Sequence, residues 1–414
     1  MKPKSILFLL FLLLLPRIFA QAGEKIDWDY EIDLLARELA EKHPNLFFKK
    51  DSAWFFQEMR KVASRTKGKS LFQVSIELQQ VVTAMGDAQT QINYHFLIDK
   101  SKIIPFSCYW FEDGIYVLET DRLYKPALGK KLLAINGFPL EVVIDSLSTL
   151  LVLDNPSVVK NSIPRMLSWF QLLEYFGFAE SLKLSITVSG SKREEVSMEL
   201  PYELGEQVRV RPPELPLGWQ DQKSYFREHY YEDEKLYYIQ YNRCWSREVE
   251  EDFGSGASAL FMPSFKEFEK QVMPVLRKKQ INKLVFDLRF NSGGHPDQGN
   301  EFIRKIIKSL PRKHGKIFVL LGRNTSDAAL INAVEFMKST EVILVGEETS
   351  GKPNHFGEVK RFVLPESRLI VSHPSTYHSL LEEDPSSLVP DLKAPMDFGH
   401  YMSGIDPALE ALRQ

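Results

Sequence analysis

Cysteine is nearly absent from this sequence: Cys108 and Cys244 are the only two in 414 residues. A disulfide framework is thereby excluded as the source of stability, and a sizeable apolar core must supply it. The two cysteines fall in what read as different domains, so no disulfide between them is expected. Histidine is sparse as well, and nine of them among scattered carboxylates show no metal-ligand spacing; no metal and no cofactor are expected. An excess of one charge is also missing. Lysine and arginine number 52 against 55 acidic residues, a net charge of −3, which offers no basic surface for nucleic acid or anionic lipid. There is no internal repeat and no low-complexity tract. The longest apolar run, residues 6–15, is ten residues long, half of the ~20 that a membrane span needs. Lys2 and Lys4 precede it and Pro16-Arg17-Ile18-Phe19-Ala20 follow. That order predicts a secretory signal peptide over 1–20, cut after Ala20. No cysteine follows to carry a lipid. The mature chain would carry a net charge of −6, be secreted or periplasmic, and keep no stable membrane insertion.

What is present is ordinary globular composition, 44% apolar and 26% charged, with length for two or three domains. Residues 24–92 read as a helical cap. Ile32, Leu35 and Leu39 form one apolar stripe that Pro44 closes; Trp54, Phe55 and Met59 mark a second helix, and 71–85 a third. The cap ends in the polar loop Gly86-Asp87-Ala88-Gln89-Thr90. From 93 to 200 the pattern turns to short strands, including Gly114-Ile115-Tyr116-Val117-Leu118 and a strand ending in the Asn136-Gly137 turn. A helix is expected over 140–151. Residues 201–235, rich in proline and charge, read as a linker. The last domain, 236–414, opens on the strand Leu236-Tyr237-Tyr238-Ile239-Gln240-Tyr241, with 253–279 mostly helical.

Within that domain the unit strand, loop, helix recurs. Leu284-Val285-Phe286-Asp287-Leu288 runs into Arg289-Phe290-Asn291-Ser292-Gly293-Gly294, then a helix is expected over 300–310. Ile317-Phe318-Val319-Leu320-Leu321 runs into Gly322-Arg323-Asn324-Thr325-Ser326-Asp327, where a helix starts and continues to about Lys338. Val342-Ile343-Leu344-Val345 leads into Gly346-Glu347-Glu348-Thr349-Ser350-Gly351-Lys352. The repeat implies parallel strands whose C-terminal ends share one edge, where ligands of open α/β sheets sit.

These phrases, with Val389-Pro390-Asp391 and Asp406-Pro407-Ala408-Leu409, resemble the tail-specific (C-terminal processing) serine peptidases, in the exported bacterial branch. The likeness spans nearly the whole mature chain. Gly129-Lys130-Lys131-Leu132-Leu133-Ala134-Ile135-Asn136-Gly137 looks like part of a PDZ-like module, which binds extended peptides by strand addition. The resemblance implies a ClpP- or crotonase-like α/β catalytic domain, and hydrolysis of extended polypeptides by a serine at a helix start. There the Ala328 N–H and Gly293 or Gly294 would hold the oxyanion.

Two positions depart from that pattern. The residue matching the serine is Asp327, and the loop usually reading Gly-Asp-x-His-Thr has Gln89 where the base belongs. An aspartate has no hydroxyl to attack with, and glutamine takes no proton near neutral pH; Thr, Ser and Asp are also common helix N-caps. Ordinary Ser/His proteolysis is therefore not supported. One rescue is Ser326 activated by Lys352, as in branches with a lysine base, although Ser326 stands about 100° away around the helix. The competing expectation is an inactive pseudo-peptidase that captures peptides. His295 and His355 lie on loops at the same edge. Gly346 with Gly351-Lys352 imitates a phosphate loop, but Pro353 stands where a magnesium-holding hydroxyl belongs.

Overall fold

The computed structural model describes residues 26–190, 193–199, 205–310 and 315–413. The expected signal peptide lies outside them. No described helix is long and apolar enough to cross a membrane.

The last domain is built on a six-stranded sheet in the spatial order Leu392–Lys393, Ile343–Gly346, Lys316–Leu321, Lys283–Asp287, Leu236–Tyr241, Phe226–Tyr231. The first five run parallel. Apart from the exposed pair Leu392–Lys393, their side chains are buried almost without interruption, as expected of strands covered on both faces. One face packs on helices Phe265–Lys278, Pro296–Ser309 and Ala328–Ser339 through Phe286, Phe302, Val319 and Phe336. The other is covered by Ala408 and Leu412 near the C-terminus.

The expected linker departs from its reading. Within 201–235 the segment Phe226–Tyr231 is a sheet strand, antiparallel to Leu236–Tyr241. Its charged residues masked it, although Arg227 lies over the Tyr238 ring and donates to Leu217 O. Gln207–Arg209 adds a further short strand, on the sheet Phe106–Phe111 and Gly114–Asp121.

Between cap and sheet, the β-rich region holds that three-stranded sheet and a four-stranded one, Phe138–Pro139, Leu132–Ile135, Lys183–Val188, Glu194–Glu199. The Asn136-Gly137 turn forms as expected, with φ of 46° and 79° and Ile135 opposite Phe138. More helix is present than short strands alone would give: Leu140–Ser148, Pro156–Met166 and Phe170–Tyr175.

The cap helices Trp28–Lys42, Ser52–Ala63 and Leu71–Ala84 do not close their own core. Leu364, Leu369 and Val371, from a hairpin 280 residues beyond the last cap helix, complete it. Gln91–Ile92 pairs with strand Ile370–His373 of that hairpin. The Glu31 carboxylate, fully buried, accepts N–H bonds from Glu366 and Ser367 and the Ser367 hydroxyl.

Beneath the parallel sheet edge lies a buried ionic cluster. Arg289 makes paired bonds of 2.7–3.1 Å to Asp287 and of 2.8 and 2.9 Å to Asp406. Tyr238 donates to Asp287 at 2.6 Å. Burial pushes the Asp406 carboxyl up, but Arg289 and the Gly218 and Ala408 N–H groups outweigh it and hold it below the usual range. Its stabilising share is therefore present above the unfolded carboxylate pKa and lost as pH falls through the depressed folded value. Removing the guanidinium leaves two buried carboxylates facing each other. Urea unfolding of Arg289→Ala should show a loss of about 3–5 kcal/mol at pH 7, with the deficit shrinking in acid.

Candidate functional site

Three loops open at the C-terminal edge of the parallel strands, and hydrogen bonds fix them to one another. The Asn291 amide is fully buried: its Nδ2 donates to Tyr241 O at 2.8 Å, and its Oδ1 accepts from Gly293 N at 2.9 Å. Thr325 Oγ1 donates to Leu288 O at 2.9 Å and accepts from Gly322 N at 3.0 Å. Ser326 N reaches Asn291 O at 3.4 Å. The glycine pair is needed for close approach. A Cβ on Gly293 would meet Asp327 Oδ2 at 2.7 Å, one on Gly294 would meet Cys244 O at 2.4 Å, and both residues have positive φ.

Asp327 precedes the helix Ala328–Ser339 with φ 50° and ψ −125°, a backbone conformation costing about 1–3 kcal/mol for a residue with a side chain. Its carboxylate makes no capping bond to the helix, so the commonplace N-cap role does not account for it. The side chain is 37% exposed, and its nearest ionisable partner is His355, with Nε2 3.7 Å from Oδ1. His355 Nδ1 lies 2.8 Å from Pro353 O, an acceptor, so Nδ1 carries a hydrogen. Nε2 is buried without a hydrogen-bond partner. Beyond it His378 is held below the usual histidine range by burial and by His355.

Of the backbone donors expected for an oxyanion, Gly293 N–H is already spent on Asn291. Gly294 N–H and Ala328 N–H have no acceptor among the described residues. Ser326 Oγ donates to Ser292 O at 3.3 Å and Asn324 O at 3.4 Å. The Lys352 amine is 2.6 Å from Asp384 Oδ2. Among the described residues no hydrogen bond joins Ser326 to Lys352. The buried Cys244 thiol, pushed up to about 12 by burial, donates weakly to Asn291 and Asn332. Cys108 and Cys244 are both unpaired.

All of this opens on a cleft of about 960 Å³ with three walls. The sheet domain contributes Ser292, Ser326, Asp327, Gly351, Lys352 and His355. The cap contributes Phe48, Lys49 and the loop 86–91, with Gln89; the β-rich region contributes Leu150, Asp154 and Ser162. Gln89, Ser326, Asp327 and Lys352 are thus brought to one place across more than 260 residues of chain. The cap loop is shaped by Asp87, which accepts from Gln89 N at 3.0 Å, from Thr90 Oγ1, and from His43 Nε2 at 3.1 Å. His43 Nδ1 in turn accepts from Asn45 N, and its ring meets Phe356 edge-on at 4.6 Å. Both nitrogens of this fully covered histidine are used, so it organises the loop and does not face the cleft.

No protein-family model and no curated protein matches the sequence. Among solved structures, mature CPAF complexed with lactacystin aligns with a TM-score of 0.63 at 12% identity, over 94% of this chain and 97% of that one. Mature CPAF alone gives 0.61 at 12% identity, over 94% and 95%. The photosystem II D1 C-terminal processing protease covers 93% and 99% at 14% identity with a TM-score of 0.39. This chain shares its fold with mature CPAF. At such identity the likeness is one of fold, and the chemistry has to be judged from the side chains present.

Asp154, Asp384 and the structural His43 carried no local sequence signal. Asp154 is aimed into the cleft because its neighbour Asn155 donates to Ser350 O at 3.2 Å and Ser386 O at 2.8 Å while capping helix Pro156–Met166. Asp154 itself has no hydrogen-bond or ion-pair partner among the described residues, and burial pushes its carboxyl up, outweighing Lys352 and Lys49. A folded-state pKa above the unfolded one favours the fold in acid and costs stability at neutral pH. Asp154→Asn should therefore raise Tm at pH 7, with the gain fading as pH falls through the carboxylate range; equal Tm values at pH 7 would contradict this.

Proposed function

We propose that this is an exported protein of tail-specific peptidase fold that holds extended polypeptide in its three-walled cleft and does not cut it by serine acyl transfer. The observation that carries the reading is the Asp327 carboxylate at the strained helix start against Gly293. Acyl transfer needs an ionisable hydroxyl there, and a fixed negative charge opposes the oxyanion that must form beside it. Supporting it, the nearest hydroxyl, Ser326, is bonded to backbone carbonyls, and the Lys352 amine is held by Asp384. Gln89 on the cap loop supplies no base. The cleft itself favours an extended chain. Its lining is mixed polar and apolar. The Gly294 and Ala328 N–H groups would take a peptide carbonyl as readily as an oxyanion. The β-rich region would serve as a PDZ-like arm, and its strand Glu194–Glu199 has a single strand neighbour among the described residues, an edge to which a strand could add.

The second reading, a peptidase using Ser326 and Lys352, is favoured by one fact: both line the same cleft. Labelling by a fluorophosphonate probe separates the two. The purified protein should not be labelled, and labelling that Ser326→Ala abolishes would establish the peptidase. Asp327→Ser combined with Gln89→His should gain labelling, because it restores a hydroxyl and a base to the same cleft; no gain would argue against the register. Unstructured peptides should bind saturably in fluorescence anisotropy.

A further inference from the structure

The cleft carries an imbalance of charge that peptide binding alone does not explain. Its lining holds four aspartates, at 87, 154, 327 and 384, against two lysines, at 49 and 352, a formal excess of two negative charges. Two of the four are satisfied within the chain. Asp87 accepts from His43, Thr90 and Gln89 N, and Asp384 pairs with Lys352. Asp327 and Asp154 accept no hydrogen bond and meet no lysine or arginine at ion-pair distance among the described residues.

At Asp327 the surroundings make this costly. His355, 3.7 Å away, is too far for a hydrogen bond, and its Nδ1 hydrogen is committed to Pro353 O. Nε2 has no hydrogen-bond partner and no accessible surface. A ligand therefore meets the carboxylate, with the imidazole as a wall behind it. The helix N-terminus offsets only about half a unit charge. A carboxylate that accepts no hydrogen bond in a partly covered site gains most from a ligand that brings a positive charge and N–H donors together. No group of three His, Cys, Asp or Glu side chains among the described residues is placed to hold a metal ion, and a ligand that carries its own cation needs none.

We propose that the polypeptide held in the cleft presents a primary ammonium, from a lysine side chain or a free N-terminus, to the carboxylate of Asp327, with Asp154 adding a second negative site along the same cleft. This assignment rests on the binding reading above. It also gives the replacement of a hydroxyl by a carboxylate a use: the position that would begin acyl transfer becomes the anchor for a cation. The unused Gly294 and Ala328 N–H groups remain to donate to the neighbouring carbonyl oxygen.

The test is fluorescence anisotropy with three matched unstructured peptides: both ends blocked with one lysine, free amino end without lysine, and both ends blocked with acetyl-lysine. At least one ammonium-bearing peptide should bind about tenfold tighter than the acetyl-lysine peptide, by an advantage that shrinks as salt rises. Which of the first two carries it identifies the source of the ammonium. In Asp327→Asn the ratio should fall to within about twofold. Equal binding of all three peptides by the unaltered protein overturns the ammonium assignment while leaving the cleft reading intact. No binding of any of them overturns the cleft reading itself. An advantage that persists in a folded Asp327→Asn variant removes Asp327 as the anchor. The comparison of acetylated with free lysine needs no variant, so misfolding of the substituted chain leaves the test decisive.

Discussion

The hydroxyl of Thr325 spans two loops, giving its hydrogen to Leu288 O and taking one from Gly322 N. With the Asn291 amide it locks the end of one parallel strand to the end of the next. Both side chains are fully buried, where an unmade bond would cost about 1–3 kcal/mol. This lock sets the backbone of residue 327 in its positive-φ conformation and presses its side chain against Gly293. Whatever residue stood there, its side chain would be presented to the cleft at the start of a helix. The fold builds a strained position at a helix start; the sequence puts a carboxylate in it.

Making that place into a site requires two further bodies of chain, and each is tied in by buried polar contacts. Glu31 grips the turn at 366–367 and so seats the cap over the sheet domain. Arg323, 5% exposed, pairs with Glu347, bonds Trp110 O and lies over the Tyr109 ring at 5.0 Å. It therefore joins two site loops to the β-rich region. Apolar packing alone would hold these parts together with less angular definition than such directional bonds provide. The cleft exists only where the three parts meet, so its charge balance is a property of their arrangement.

Much of the parallel sheet was readable because its strands are short continuous apolar runs and its loops carry glycine at the turns. Helix boundaries shifted by a few residues: Pro296–Ser309 begins earlier than expected, with Pro296 in its first turn. The edge strand Phe226–Tyr231 was missed, since proline and charge nearby imitate a linker and its pairing is visible only from its neighbour. The cap was legible as three helices but not as sharing a core with the hairpin strands Lys360–Val363 and Ile370–His373. Nothing in a helical stripe announces which distant strand will cover it.

From the residues alone came the order of strands and helices, the glycine pair, and the presence of Asp327 and Gln89 in their loops, because these depend on local periodicity and on residue identity. The tertiary structure alone decided what those residues face. It withdrew the Gly293 N–H into a loop bond, turned the Lys352 amine toward Asp384, placed His355 behind Asp327, and brought Asp154 from another domain into the same cleft. Hydrogen bonds and charge pairings join residues hundreds of positions apart, and a pattern of neighbours along the chain has no access to which donor meets which acceptor.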